Sequence, residues 1–283
     1  MSMSAPESAA SDATPTRLRY FWCLRGIARR EWLRFFRQHA RFIAALVRPL
    51  LWLVIFAAGL RTLVDIPITP PYGAAVPYDT YITPGLIAMV LLFNGMQSSL
   101  SLVYDREMGS IRVLLVSPFP KWFLLLSKLL AGVLVSLLQV YAFLGVAWVF
   151  GIRLPALGYL SVLPALVLCG LLLGALGLLL SSLIRQLENF AGIMNFVIFP
   201  LFFASSALYP LSVMAANSPT LAAIAAFNPF TSCVELIRFA LYGQVNLQAL
   251  LIVVSTTLVF FVAAVFAHNP THNLFARRTR SAG

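Results

Sequence analysis

The feature of this sequence that most constrains its fold is a series of long apolar runs that contain few or no charged residues. Runs of roughly 18 residues or more recur along the chain, and a helix of that length crosses about 30 Å of hydrocarbon. Because backbone amides find no water inside a bilayer, each run must satisfy its own hydrogen bonds as a helix. We therefore predict an all-α integral membrane fold with six transmembrane helices, at residues 42–60, 81–104, 123–150, 160–183, 190–208 and 247–267.

Composition and charge exclude the main soluble classes of protein. Hydrophobic residues make up 60% of the 283 positions and charged residues 10%, which is too apolar for a domain with a wetted surface. The net charge of +11 is typical of nucleic-acid-binding proteins, but most of the basic residues flank the predicted spans on one side. The cysteines and histidines show no metal-ligand or disulfide spacing. We predict no metal site and no nucleic-acid partner.

The distribution of Lys and Arg predicts which side of the membrane each loop occupies. Of 20 basic residues, only Arg61, Arg153 and Arg238 fall on one side of the predicted spans, and the others fall on the opposite side. Because basic residues concentrate in cytosolic loops, an even number of spans places both termini in the cytosol. We predict a multi-pass protein of the cell inner (cytoplasmic) membrane.

Three segments lie outside the predicted spans at the two ends of the chain. Residues 1–16 are small and polar, which is typical of a disordered tail, and residues 268–283 form a cytosolic C-terminal tail. Residues 17–41 are predicted to form an amphipathic interfacial helix, because apolar and basic residues follow two stripes. The apolar stripe is Phe21, Leu24, Ala28, Trp32 and Phe35, and the basic stripe is Arg30, Arg34, Arg37 and Arg41.

Residues 209–246, between the fifth and sixth spans, are too apolar for a loop and too interrupted for a span. Three prolines break the region: Pro210, Pro219 and Pro229. Asn228 and the proline after it form an N-cap and first-turn pair, and Gly243 is the expected end of that helix. We predict two short re-entrant helices in the outer leaflet, on which Glu235 and Arg238 pair with each other or with neighbours. A role in substrate exit is the second possibility.

The cytosolic loop between the second and third spans, residues 105–121, carries the strongest functional signal. Charged residues at the end of a span give way to an apolar turn of helix, which Pro118 ends. A short cytosolic helix that shows Leu and Val side chains needs a protein partner to cover them. The residues assigned to this contact are Asp105, Arg106, Glu107, Gly109, Ser110, Arg112, Leu114, Leu115, Ser117 and Pro118.

This loop resembles the acidic-Arg-Glu-x-Gly-Thr/Ser…Leu-Leu-x-Ser-Pro segment of ABC-2 type transporter permeases. That family includes bacterial exporters and resembles the membrane half of ABCG transporters. The later stretch from Asn228 and Pro229 through Glu235 and Arg238 resembles the family's Asn-Pro…Glu-Leu-x-Arg element. The resemblance covers residues 20–268, although Arg112 stands where relatives often carry Glu. It implies a six-helix transmembrane permease domain over residues 42–267, with a coupling helix in the 105–121 loop.

The resemblance also implies partners for this chain. In the family, the coupling helix sits in a cleft of a separate ATP-binding subunit, and two permease copies assemble with two such subunits. The sequence contains no GxxxxGKS or GxxxxGKT phosphate loop, so we expect no cofactor on this chain. ATP and Mg²⁺ then belong to the partner subunit, and this chain is a transport subunit rather than an enzyme.

A polar stripe in the second span is either a packing surface or part of the translocation path. The stripe recurs at helical spacing and consists of Asn94, Gln97, Ser98 and Ser101. Because amides facing lipid are costly, these side chains face another helix or water. Interhelical hydrogen bonding and a path wall both stay open at this point. The resemblance supports the path, because this span and the fifth, with Asn195 and Phe199, line it in relatives.

A stripe of small residues in the fourth span predicts a close approach of another helix. It consists of Gly170, Gly174, Gly177 and Ser181, and residues of this size allow two helix backbones to come into contact. We assign this stripe a structural role only.

Two other functional classes are the alternatives to a permease. An ion-coupled secondary transporter usually buries a charged residue near the bilayer midplane, and the six predicted spans have no acidic residue at their centres. An intramembrane enzyme needs a cluster of catalytic side chains, and no HExxH motif or Ser-His pairing lies within the spans. We therefore expect the permease subunit of an ABC exporter that carries an amphipathic or lipid-like substrate.

Overall fold

The structure is a computed structural model and describes residues 16–37, 39–60, 70–108, 119–184 and 186–268. Within these ranges the chain contains no β-strand, in agreement with the predicted all-α class. Most of the two predicted tails lies outside them. The helices in chain order are α1 (Thr16–Arg37), α2 (His39–Leu60), α3 (Tyr78–Glu107), α4 (Lys121–Val149), α5 (Gly158–Ser161), α6 (Leu163–Leu183), α7 (Leu187–Phe203), α8 (Leu211–Asn217), α9 (Pro219–Phe227), α10 (Pro229–Leu241) and α11 (Leu247–Ala267).

Four stretches of the described chain are long and apolar enough to cross a membrane. They are Tyr78–Asp105, Lys121–Val149, Gly158–Leu183 and Leu247–Ala267. The pair α9 and α10, bent by 78° at its break, counts as a fifth if it is taken as one span. Two shorter apolar stretches, Leu46–Phe56 in α2 and Leu187–Phe203 as α7, lie where the first and fifth spans were predicted. The described chain thus has four or five candidate spans of full length, where the sequence predicted six.

Several helix boundaries differ from the predicted ones. α3 continues to Glu107, so that Asp105 lies within the helix rather than in the loop after it. α7 ends at Phe203, earlier than predicted, and Pro200 lies inside its last turn. α11 has the predicted bounds, because its apolar run is uninterrupted and Asn246 caps its first turn.

The centre of the fold is a close contact between α3 and α6, which glycine makes possible. A Cβ atom on Gly95 would lie 2.9 Å from the backbone nitrogen of Gly174. One on Gly177 would lie 2.8 Å from the carbonyl oxygen of Gly95. Because any side chain at these positions would force the helices apart, the predicted small-residue stripe of α6 is confirmed as a packing surface.

The C-terminal end of α7 is held by the side chain of Asn228, which lies between α9 and α10. Its Nδ2 atom donates hydrogen bonds to the carbonyl oxygens of Leu201 at 2.8 Å and Ala204 at 2.7 Å. Both carbonyls lie at the C-terminal end of the helix, where backbone oxygens have no N–H donor within the helix. Since an unpaired carbonyl in an apolar environment is costly, one amide stabilises the whole end of α7.

Two tyrosines at the start of α3 bind the turn that follows α7. The hydroxyl of Tyr81 donates to the carbonyl oxygen of Ser206, and the hydroxyl of Tyr78 donates to that of Leu208, both at 3.1 Å. Both tyrosine side chains are buried. Two carbonyl oxygens of the irregular backbone after α7 thus accept hydrogen bonds from α3.

Residues 209–246 form three short helices, α8 to α10, where the sequence predicted two. The additional break lies at Ser218, whose hydroxyl accepts a hydrogen bond from the first turn of α9 at 3.4 Å. The predicted cap of α10 is confirmed, because Asn228 Oδ1 accepts a hydrogen bond from the N–H of Phe230 at 2.9 Å. Gly243 follows the end of α10 with a φ of +67°, which glycine adopts without strain.

α1 packs one face against α4 and leaves the opposite face exposed. The ring of Tyr20 lies 5.1 Å from that of Phe119 and 4.8 Å from that of Phe123, both at edge-to-face angles. The half-buried face consists of Tyr20, Cys23, Leu24, Ile27, Ala28 and Glu31. The predicted apolar stripe is therefore only partly the packing face: Leu24 and Ala28 belong to it, and Phe21 and Trp32 are exposed.

Candidate functional site

The predicted coupling segment begins inside α3. Asp105 and Glu107 lie in the last turns of that helix, and only the backbone of Arg106 is described. The remaining residues predicted for this segment lie outside the described ranges: Gly109, Ser110, Arg112, Leu114, Leu115, Ser117 and Pro118. The structure therefore shows how the start of the segment is anchored to the helices around it.

Asp105 is the anchor, because its carboxylate contacts two cations from two other helices. Its Oδ2 atom lies 3.7 Å from Nη2 of Arg30 in α1 and 3.9 Å from Nζ of Lys128 in α4. The Lys128 side chain is only 11% exposed. A buried ammonium needs a nearby countercharge, and Asp105 supplies it.

Glu107 connects the end of α3 to the beginning of α7. Its Oε1 atom accepts a hydrogen bond at 3.4 Å from the backbone N–H of Leu187, the first residue of α7. The first N–H groups of a helix have no partner within it, and a carboxylate near them is favourable. Asp105 and Glu107, at the start of the predicted coupling segment, thus contact α1, α4 and α7.

The polar stripe of α3 faces α4 at two of its four members. The amide of Asn94 donates a hydrogen bond to Oε1 of Gln139 in α4. Ser98 lies against Gly132 of α4, where an added Cβ atom would be 3.1 Å from the serine hydroxyl. Asn94 therefore makes an interhelical hydrogen bond within the chain, which favours the packing interpretation for this residue.

The other two members of the stripe have different surroundings. The hydroxyl of Ser101 donates to the carbonyl oxygen of Ser98 at 2.7 Å, within α3 itself. Gln97 is half-buried. Gln139 was not among the predicted site residues. It is the single amide side chain within residues 123–150 and thus a natural partner for an amide in a neighbouring span.

On α7, the predicted path residues lie on a face that no other described part of the chain covers fully. Asn195 and Phe199 are exposed, and Phe196 beside them is 78% exposed. Phe199 stacks with Phe203, and the ring of Trp52 in α2 lies 5.9 Å from Phe203. Asn195 is exposed on α7, whereas the amide of Asn94 in the α3 stripe is bonded to Gln139 of α4.

An open cleft lies at the turn between α6 and α7, beside the start of the exposed face. Its volume is about 680 Å³, within the range of small-molecule sites in proteins. The lining residues are Leu183, Ile184, Gln186, Glu188, Asn189, Gly192 and Ile193. The cleft is lined in part by aliphatic and amide side chains. It lies at the N-terminal end of α7, which is also the end that Glu107 contacts.

Glu235 and Arg238 form an ion pair on α10, as the sequence predicted. The guanidinium of Arg238 is buried, lies 4.2 Å from the centre of the Tyr81 ring and donates to the carbonyl oxygen of Ser206 at 2.8 Å. Burial raises the pKa of the nearby Tyr72 hydroxyl to about 12, so this side chain remains neutral. The contacts of Arg238 join α10 to α3 and to the turn after α7.

Comparisons with known proteins agree with this architecture. The model of the ABC-2 type transporter family matches residues 24–242. The putative transport permease ycf38 of Pyropia yezoensis is 31% identical over 218 residues, which cover 76% of this chain and 72% of the relative. The protein of the same name from Cyanophora paradoxa is 28% identical over 219 residues, 75% of this chain and 72% of the relative.

A bacterial relative covers a shorter part of both chains. The probable multidrug ABC transporter permease YbhR of Escherichia coli K12 is 32% identical over 129 residues, which are 44% of this chain and 35% of the relative. Members of the matched family are transport subunits that are not themselves catalytic, and membership implies association with an ABC ATP-binding subunit. The family match spans most of the chain, and the described helices include several long enough to cross a membrane. The protein belongs to the ABC-2 type transporter family and is the membrane permease subunit of an ABC transporter.

Proposed function

We propose that this chain is the permease of an exporter built from two copies of it and two separate ATP-binding subunits. ATP and Mg²⁺ bind the partner subunits, which supply the energy. The chain lies in the cell inner membrane with both termini in the cytosol. The one-sided distribution of Lys and Arg supports this orientation. Membership of the ABC-2 type transporter family supports association with an ABC ATP-binding subunit.

We propose six membrane crossings, made by α2, α3, α4, α5 with α6, α7, and α11. α7 has 17 residues and is about 25 Å long at 1.5 Å per residue, and the turn after it extends its reach. The 78° bend between α9 and α10 supports a re-entrant pair rather than a further crossing. An even number of crossings is also what the positive charge of both terminal segments requires.

The coupling mechanism rests on one observation, the contact of Asp105 with both Arg30 and Lys128. We propose that residues 109–118 contain the coupling helix and that it docks on the ATP-binding subunit. A displacement of this helix then pulls on α3, and the shared carboxylate passes the displacement to α1 and α4. Glu107 passes it to α7 through the N–H of Leu187.

The translocation path in this proposal follows the exposed face of α7, with Asn195 and Phe199, where two copies of the chain meet. Gln97 and Ser101 contribute to the path from α3, whereas Asn94 and Ser98 serve the contact with α4. An apolar wall with a few amides favours an amphipathic or lipid-like substrate. The name of the bacterial relative, probable multidrug ABC transporter permease, supports an export role.

The test is reconstitution of the chain with and without its ATP-binding subunit. We expect the two proteins to copurify in equal numbers, and we expect uphill export only when the ATPase and ATP are both present. Uphill transport by the chain alone, driven by an ion gradient without ATP, would contradict the proposal and favour a secondary transporter.

A further inference from the structure

The exposed face of α1 combines tryptophan and arginine in a pattern that the coupling mechanism does not use. Its members are Trp22, Arg25, Arg29, Trp32 and Leu33, all exposed. They recur every three or four residues, so they form one stripe about 15 Å long on the helix. α1 cannot turn this stripe inward, because Tyr20 on the opposite face is fixed between Phe119 and Phe123.

Charge and ring geometry determine what this stripe recognises. The guanidinium of Arg25 lies 5.1 Å from the centre of the Trp22 ring, in the geometry of a cation–π pair. The only acidic residue of α1, Glu31, belongs to the packing face, and Arg30 is directed to Asp105. The stripe is therefore cationic, with exposed indole rings beside its guanidinium groups.

We propose that this stripe of α1 is a binding site for anionic phospholipid headgroups. Guanidinium groups bind phosphate with two parallel hydrogen bonds, and indole rings favour the boundary between headgroups and acyl chains. The site rests on the proposed placement of α1 at the cytosolic membrane surface, where anionic lipids attract basic helices. A lipid bound there holds α1 in place and thereby keeps Arg30 close to the carboxylate of Asp105.

The experiment measures lipid selectivity of the full-length chain, purified without an ATPase and placed in phosphatidylcholine nanodiscs. Spin-labelled phosphatidylglycerol and phosphatidylcholine report their relative association with the protein. We expect a preference for phosphatidylglycerol, and we expect Arg25→Gln with Arg29→Gln to lower it at least fivefold, because each surface arginine contributes about a factor of five. About 0.5 M salt weakens the wild-type preference by screening.

The chain offers a matched control at the C-terminal end of α4, far from the end on which α1 packs. Arg153 lies 4.5 Å from the centre of the exposed Trp148 ring, so it forms the same kind of pair on the side with few basic residues. Arg153→Gln should leave the lipid preference unchanged. Arg25→Lys with Arg29→Lys should give an intermediate preference, because lysine retains the charge without the bidentate geometry.

Three results would overturn this site. One is equal association of the two lipids with the wild-type chain, and another is an equal loss in the Arg153→Gln variant. The third is an unchanged lipid preference in the double glutamine variant. If that variant also fails to bind the ATP-binding subunit, the stripe belongs to a protein partner. None of these measurements requires transport, so failure of the lipid site is distinguishable from failure of the exporter proposal.

Discussion

The Oδ2 atom of Asp105 lies 3.9 Å from Nζ of Lys128, and both side chains are almost completely buried. This pair joins the end of α3 to α4 directly before the proposed coupling segment. Arg30 of α1 approaches the same oxygen atom to 3.7 Å from a more exposed position. One carboxylate thus holds three helices at the place where the coupling mechanism needs a rigid joint.

Replacement of Asp105 by Asn should both destabilise the protein and weaken the coupling of transport to ATP hydrolysis. Lys128 would lose the carboxylate that lies 3.9 Å from its ammonium group, and loss of one partner of a buried ion pair costs about 3 kcal/mol. Thermal unfolding in detergent measures the first effect, and transport per ATP hydrolysed measures the second. Arg30→Gln is the control: because Arg30 is 58% exposed, its loss should cost less than about 1 kcal/mol. Equal costs for the two variants would contradict the assigned roles.

Substitution of Gly177 by Ala should reduce stability because of the close contact between α6 and α3. The new methyl group would lie 2.8 Å from the carbonyl oxygen of Gly95, and such overpacking costs about 1–3 kcal/mol. Gly145→Ala in α4 is the matched control, since no atom lies within 4 Å of its added Cβ. We expect Gly145→Ala to leave the stability unchanged or to raise it, because alanine has a higher helix propensity than glycine. Thermal unfolding of both variants tests the contact, and a stable Gly177→Ala protein would refute it.

Replacement of Asn228 by Asp should separate its two roles. Aspartate still caps α10 by accepting from the N–H of Phe230, but it donates nothing to the carbonyl oxygens of Leu201 and Ala204. We expect Asp to be nearly as destabilising as Ala, by about 2–4 kcal/mol for two unpaired carbonyls. Asn246→Ala, which removes only the cap of α11, should cost about 1 kcal/mol. If Asn228→Asp is as stable as the wild type, the hydrogen bonds of this side chain to the end of α7 do not stabilise the protein.

The amide pair Asn94 and Gln139 can be tested with a double-mutant cycle. Each single change to Leu leaves one amide unpaired between α3 and α4, whereas the double change removes both. We expect a coupling energy of about 1 kcal/mol, in the range measured for hydrogen bonds between membrane helices. Substrate range should be unchanged in the double variant. In contrast, Asn195→Leu on the exposed face of α7 should change substrate range. A changed substrate range in the Asn94 and Gln139 double variant, with none in Asn195→Leu, would contradict these assignments.

The helices that the sequence located best are those whose apolar runs are long and unbroken. α11 has the predicted bounds, and the cap at Asn228 and the stop at Gly243 were predicted correctly, since both depend on neighbouring residues alone. The small residues of α6 also identified a close helix contact without naming the partner. In each case a local pattern carried the required information.

The features that the sequence did not reveal depend on contacts between distant residues. The pair of Lys128 with Asp105 was not predicted, because Asp105 was assigned to a loop rather than to α3. The roles of Tyr78 and Tyr81 as donors follow from an early end of α7, more than 120 positions away. No periodicity marks such pairs, since a tyrosine or lysine near a span end is equally typical of the membrane boundary.

The central claim is that the segment after Asp105 transmits the work of a separate ATPase to this permease. The most direct measurement compares transport and ATP hydrolysis in proteoliposomes that contain the complete complex, with either the wild-type chain or its Gly109→Pro variant. We expect the variant to insert and to hydrolyse ATP while its transport rate falls at least tenfold. Charge reversal of Glu107 should have the same effect. Normal ATP-driven transport by the Gly109→Pro complex would contradict the account.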